Sequence, residues 1–186
     1  MKVIAFIFAR GNSKGIKNKN LLKFKKTTLL GHAVNQAKKV NNIKEVFVST
    51  DSKKILKHAK KYNAETPFLR PKKFARDNSL EIDAWRHAIR YLKKNMNLTP
   101  NYIISIPTTC PLRKVSDINL CLKKALNKKL DMVFTVTKSY KNPYFNIIAK
   151  KRKRINVVSK FFDKKNKKII KRRQDAPECF DLTTAC

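Results

Sequence analysis

Val3-Ile4-Ala5-Phe6-Ile7-Phe8-Ala9 passes directly into Arg10-Gly11-Asn12-Ser13-Lys14-Gly15, and Lys17, Lys19 and Asn20 follow. An apolar run bounded by a glycine loop reads as a buried strand. The loop carries two glycines, a hydroxyl and several cations. Backbone N–H groups in such a loop can wrap phosphates while Arg and Lys neutralise their charge. A nucleoside triphosphate is therefore the first ligand to consider. The plain alternative is a solvated turn. Neither Gly-x-x-x-x-Gly-Lys-Ser/Thr nor Gly-x-Gly-x-x-Gly is present, so the P-loop and dinucleotide fingerprints do not apply.

Outward from this stretch, strand and helix signals alternate. Leu29, Leu30, Ala33, Val34, Ala37 and Val40 recur at helical spacing. Glu45–Ser49 is a short β-rich run. Ile55, Leu56, Ala59 and Tyr62 mark a second helix. Ser79 is expected to cap a third, with Ile82, Trp85, Ala88, Ile89 and Leu92 facing inward. Tyr102–Ile106 is a further strand. Ser116 is expected to cap a helix carrying Ile118, Leu122, Ala125 and Leu126, and Met132–Val136 to form another strand. Repeated β-α-β units imply an α/β fold of Rossmann-like type: a mostly parallel sheet with helices on both faces. Ligands bind beyond the carboxyl ends of such strands.

From about Thr137 the pattern changes. Tyr144–Ala149, Ile155–Val158 and Lys167–Ile170 are short apolar runs between basic clusters, which suggests β-hairpins. The expected organisation is one domain over 1–186, incomplete at its C-terminus, with a hairpin arm over 137–175 that packs on a second subunit.

The chain of 186 residues has 45 Lys plus Arg against 12 Asp plus Glu, a net charge of +33. Such an excess suggests a polyanion partner. The cations, however, lie on every expected helix and in most loops. This spread fits compositional drift toward Lys and Asn better than a nucleic-acid surface. Cys110, Cys121, Cys179 and Cys186 form no Cys-x-x-Cys pair, as expected of reduced cysteines in a cytoplasmic protein. No run approaches the roughly 20 apolar residues of a membrane span, and the N-terminal run meets charge too soon for a signal peptide.

Five segments, taken in order, resemble the acylneuraminate cytidylyltransferase family, the CMP-sialic acid synthetases and their nonulosonate relatives. Ala9 to Gly15 with Lys19-Asn20-Leu21 is similar to that family's nucleotide loop. Ser49-Thr50-Asp51-Ser52 resembles its second-strand motif. Arg70-Pro71, Ala75, Asp77 and Ser79 resemble the third segment. Pro107-Thr108-Thr109-Cys110-Pro111-Leu112-Arg113 is similar to its Gln-Pro-Thr-Ser-Pro-Leu-Arg stretch. Arg172-Arg173-Gln174-Asp175 with Pro177 resembles the segment near the sugar.

The resemblance implies a fold of the nucleotide-diphospho-sugar transferase type with a β-hairpin dimerisation arm. It implies a homodimer that uses CTP, a nonulosonic acid and magnesium. The acid's anomeric hydroxyl would attack the α-phosphorus of CTP and release pyrophosphate. Arg10, Lys14 and Lys19 would act on the phosphates. Gly11, Asn12, Ser13, Gly15, Asn20, Arg70, Asp77, Ser79 and Thr109 would bind the nucleotide, with Gly11 and Gly15 allowing close backbone approach. Cys110, Arg113, Arg173 and Gln174 would bind the acid, the last two through its carboxylate.

Three departures qualify this. Pro107 and Cys110 stand where many members carry Gln and Ser, and Thr183-Thr184 replaces Asn-Gly. The first favours a legionaminic- or pseudaminic-type acid over sialic acid, and the second also touches the sugar pocket. The family's metal-binding Asp-x-Asp has no counterpart, and Asp51, Asp117 and Asp131 form no convincing cluster, so no metal ligands are named. His32 and His58 read as solvated or half-buried, His87 as a support near the cleft, and Trp85 as core. Two other functions stay open: a nucleotidyltransferase for another sugar or sugar phosphate, and a nonenzymatic polyanion-binding protein.

Overall fold

The computed structural model describes residues 1–13, 15–151, 154–159, 170 and 172–183. They form two compact units, with Phe134–Thr183 as the second.

In the first unit, strands β1 (Val3–Phe8), β4 (Ile43–Ser49) and β5 (Tyr102–Ser105) form a parallel sheet in the order β4-β1-β5. Central β1 is buried on both sides, which is why it reads as an unbroken apolar run. Alternate residues feed two cores. Val3, Ala5 and Ile7 pack with Leu30, Val34 and Ala37 of α1 (Leu29–Lys38), Ile55 and Ala59 of α2 (Lys53–Lys60), and Ile118 and Leu122 of α4 (Val115–Asn127). Ile4 and Phe6 pack on the other face with Phe47, Phe68, and Ala88 and Leu92 of α3 (Glu81–Met96). The sheet is thus covered on both faces, as the alternation implied.

Short strands β2 (Lys23–Phe24) and β3 (Thr27–Thr28) form a hairpin ahead of α1. Thr28 caps that helix, its Oγ1 accepting from Gly31 N at 3.1 Å. Gly31 is required because any Cβ there would collide with the Tyr62 ring and Thr27 Oγ1. Ser52 caps α2 by accepting from Ile55 N.

Two expected caps are corrected. Extended Leu80 precedes α3, while Ser79 Oγ donates to Lys73 O at 2.7 Å and accepts from Arg76 N at 3.1 Å. The hydroxyl closes the preceding loop because those groups lie within its reach. Likewise Ser116 lies inside α4, and Asp117 secures that helix start by accepting from Lys114 N at 2.8 Å. On α3, Ile82 is exposed and Trp85 only half-buried; Ala84, Ala88 and Leu92 form the inward line.

The second unit holds two antiparallel pairs. Strand β6 (Val136–Lys138) pairs with β9 (Phe180–Leu182), and β7 (Ile148–Lys151) with β8 (Arg154–Val157). The expected strand at Met132–Val136 is therefore shifted: an apolar run becomes a strand only where a partner completes its backbone bonds, and β9 does so at 136–138. Tyr144–Ala149 is extended only from Ile148. Before it, Asn142 folds the chain, its Oδ1 accepting from Tyr144 N and its N–H donating to Asn146 Oδ1. Of the expected Lys167–Ile170 run, 167–169 lie outside the described residues.

Candidate active site

The chain runs from β1 at the centre to β4 on one side, then crosses to β5 on the other. The carboxyl ends of the strands at that reversal are where a doubly wound sheet binds ligands. A cleft of about 320 Å³ opens there. Phe8, Arg10, Ser13, Lys19 and Asn20 line it from the first loop; Arg70, Phe74 and Ser79 from the segment after β4; Glu81 and Ala84 from α3; and Pro107, Thr108 and Thr109 from the loop after β5.

A buried amide joins two of these loops. Asn20 donates from Nδ2 to the Arg10 carbonyl at 2.9 Å and accepts from Thr108 Oγ1 at 2.7 Å. Asn20 and Thr108 are both buried. Its side chain therefore shapes the cleft from behind.

Gly11 packs tightly against the start of the segment after β4. A Cβ there would lie 2.9 Å from Ser52 Cβ, and Gly11 N donates to Asp51 Oδ1 at 2.7 Å. Gly15 is different: nothing lies within 4 Å of where its Cβ would be. Asn12 is exposed and outside the cleft lining. Lys14 lies outside the described residues. Arg10 pairs with Asp77 at 3.1 Å, both largely solvated, so the contact is weak.

Arg70 is the most unusual group. It is 5% exposed, and its Nε and Nη2 are buried without a partner. Burial pushes its pKa below the usual arginine value; Asp51 and Glu81 oppose that shift and Arg10 adds to it. A desolvated guanidinium with idle donors on a cleft wall is suited to an anionic or carbonyl-bearing ligand. Behind it, His87 packs against Phe68 and Phe74 at ring separations of 5.0 and 5.3 Å. Its pKa is lowered by burial, then by Arg70 and Lys73.

Of the residues expected at the acid, Arg113 is buried. Its guanidinium donates to the Pro107 carbonyl and, through Nε, to Cys110 O at 3.0 Å. It acts as the brace of its own loop. Cys110 is a half-buried free cysteine outside the cleft lining. Arg173 and Gln174 are exposed in a short 3-10 helix of the second unit, where the neighbouring Arg172 grips Asp175 through Nε at 2.9 Å. Sequence reasoning missed Asp51, Thr108 and Glu81 as site residues. Glu81 faces the cleft and accepts from Trp85 Nε1 at 3.3 Å, and Trp85 stacks on Phe8.

Among the described residues no three His, Cys, Asp or Glu side chains come together to hold a metal. Asp51 and Asp77 are already bonded to Gly11 N and Arg10. No helix among the described residues is long and apolar enough to cross a membrane.

A parallel sheet with a cation-lined cleft at its reversal is a doubly wound α/β architecture with its ligand site at the strand ends. Within it, the chain belongs to the cytidylyltransferase family, whose model it matches over residues 4–182. "Post-translational flagellin modification protein B" of Campylobacter coli is 30% identical over 184 residues, covering 99% of this chain and 75% of that protein. "CMP-N,N'-diacetyllegionaminic acid synthase" of Campylobacter jejuni is 28% identical over 191 residues, with the same two coverages. The solved structure of a cytidylyltransferase from Leptospira borgpetersenii superposes with a TM-score of 0.57 at 25% identity, over 80% of this chain and 57% of that one.

Proposed function

We propose that the protein joins CMP to a nonulosonic acid, drawing on CTP and releasing pyrophosphate. Arg70, buried on the cleft wall with two idle nitrogens, is the observation that carries this reading. The acid's anomeric oxygen forms a bond to the α-phosphorus of CTP as the bond to pyrophosphate breaks, and the hydroxyl proton goes to solvent. Negative charge develops on the phosphates, so fixed cations at the cleft lower the barrier. Arg10 and Lys19 line the cleft to supply them, and Lys14 joins them by resemblance. The loop after β5 receives the acid. Magnesium would reach the cleft as the counter-ion of CTP.

The similarity to a legionaminic acid synthase, together with Pro107 and Cys110, favours a legionaminic- or pseudaminic-type acid. The protein would work in the cytoplasm, where its free cysteines stay reduced. It would act as a homodimer through the second unit, where Ile148 and Ile155 are 67% and 60% exposed on one face of the β7–β8 hairpin. The test is CTP binding by the Lys14→Ala/Lys19→Ala double variant. Saturable binding should be lost; normal binding would refute the loop's assignment.

A further inference from the structure

Helix α1 contains a buried amide whose arrangement its own packing does not justify. Gln36 is 7% exposed, and its Nε2 donates to the Arg113 carbonyl at 2.6 Å. Its Oε1 is buried with no partner. An unpaired buried acceptor is destabilising, and one in a folded protein calls for a reason. One turn earlier, His32 Nε2 meets the Pro111 carbonyl at 2.9 Å. A carbonyl only accepts, so this nitrogen carries the proton and donates. The imidazole is steadied by the Phe24 ring, edge to face at 4.9 Å. Residues four apart share one helix face, so α1 offers two donors to one loop.

That loop is the one after β5. Its first residues, Pro107, Thr108 and Thr109, line the cleft, and its last, Pro111 and Arg113, are held by α1. The Arg113 guanidinium ties the two ends by donating to the carbonyls of Pro107 and Cys110. A side chain at the far end thus sets the shape of the cleft wall.

We propose that His32 and Gln36 are positioning residues that fix the acid-binding wall, setting affinity for the sugar acid without touching it. This rests on the cytidylyltransferase reading above. A loop that occupies its binding conformation only part of the time weakens apparent affinity by that fraction. Releasing α1's hold so that one-tenth of molecules keep the competent loop would raise the acid KM about tenfold. Arg10, Lys19 and Arg70 sit on other segments, and the Asn20–Thr108 bond that anchors the near end of this loop is kept in these variants, so CTP should be much less affected than the acid.

The test uses the full chain with CTP and N,N'-diacetyllegionaminic and pseudaminic acids, reading pyrophosphate release. Gln36→Leu removes the donor together with the idle acceptor. It should raise the acid KM about tenfold and leave the CTP KM within about twofold, a split that marks lost acid positioning. Its Tm should change little, because losing the idle Oε1 offsets the Arg113 carbonyl left unpaired; a merely structural amide would leave the acid KM unchanged. His32→Phe keeps an aromatic edge on Phe24 without a donor and should show the same split; His32→Gln, which restores a donor, should recover much of it. Faster hydrogen exchange at Thr108–Arg113 in Gln36→Leu would locate the effect. An active wild type whose Gln36→Leu acid KM is unchanged overturns the proposal and leaves the cytidylyltransferase reading standing. A wild type that binds CTP but releases no pyrophosphate with any acid overturns both.

Discussion

The Asn20–Thr108 bond joins two cleft loops 88 residues apart in sequence, and a double-mutant cycle measures its worth. Asn20→Ala removes the amide and with it both hydrogen bonds. It leaves the Thr108 hydroxyl and the Arg10 carbonyl unpaired, with Asn20 and Thr108 only 4% and 5% exposed. Each orphaned group costs about 1–3 kcal/mol, so the variant should lose roughly 2–5 kcal/mol. In a domain whose whole stability is about 5–15 kcal/mol, that is a large fraction. Thr108→Val alone leaves Asn20 Oδ1 unpaired and should cost about 1–3 kcal/mol. Added to Asn20→Ala it should cost almost nothing, because the hydroxyl it removes is already idle. The expected coupling is therefore about 1–3 kcal/mol, well above the ~0.5 kcal/mol scatter of independent sites. Urea unfolding followed by fluorescence is suited to the purpose, since Trp85 is the sole tryptophan and lies in the first unit. Equal costs for Thr108→Val in both backgrounds would refute the reasoning.

Arg70→Met should leave the unliganded protein as stable or more so, since it removes idle buried donors. CTP affinity should drop about 10- to 100-fold, the worth of a charge-assisted bond of roughly 1.5–3 kcal/mol; titration calorimetry and a thermal melt read both. Gly11→Ala must push Ser52, the cap of α2, out of a 2.9 Å contact. It should cost about 1–3 kcal/mol and weaken CTP binding; unchanged unfolding and binding would contradict the packing. His58 accepts or donates at Thr28 Oγ1, 3.0 Å away, and its pKa is lowered from 6.5 by burial and then Lys61. The unfolded chain then takes up the proton first, so this contribution is present above pH 6.5 and is lost as pH falls through the lower folded value. Melts of wild type and His58→Gln from pH 7.5 downward should converge. Ile155→Glu should shift the sedimentation of the proposed homodimer toward monomer; an unchanged profile would exclude that hairpin face from the contact.

The sheet was legible because β1 is buried on both faces and its helices show a regular apolar stripe. The loop after β1 was legible as a site because glycine and cations cluster where the strand ends, and the segments after β4 and β5 through the resemblance of Ser49–Ser52, Arg70–Ser79 and Pro107–Arg113 to family motifs. Caps were less so. Ser79 and Ser116 have the right chemistry near a helix start, but the Lys73 carbonyl claims one and Asp117 does the other's work. Asn20 and Gln36 could not be read at all as linkers. Their partners lie 88 and 77 residues away in sequence, and no spacing rule spans such a distance. Arg113 is a different case: its guanidinium donates to the carbonyls of Pro107 and Cys110 in its own loop, a local brace that no side-chain pattern signals.

Pyrophosphate release by the purified chain, with CTP, magnesium and a panel of nonulosonic acids, tests the central claim most directly. CTP alone and ATP in place of CTP serve as controls. Release that requires both CTP and one acid is the expected result and identifies the sugar. No release with any acid of the panel, whether or not CTP binds, would contradict the account.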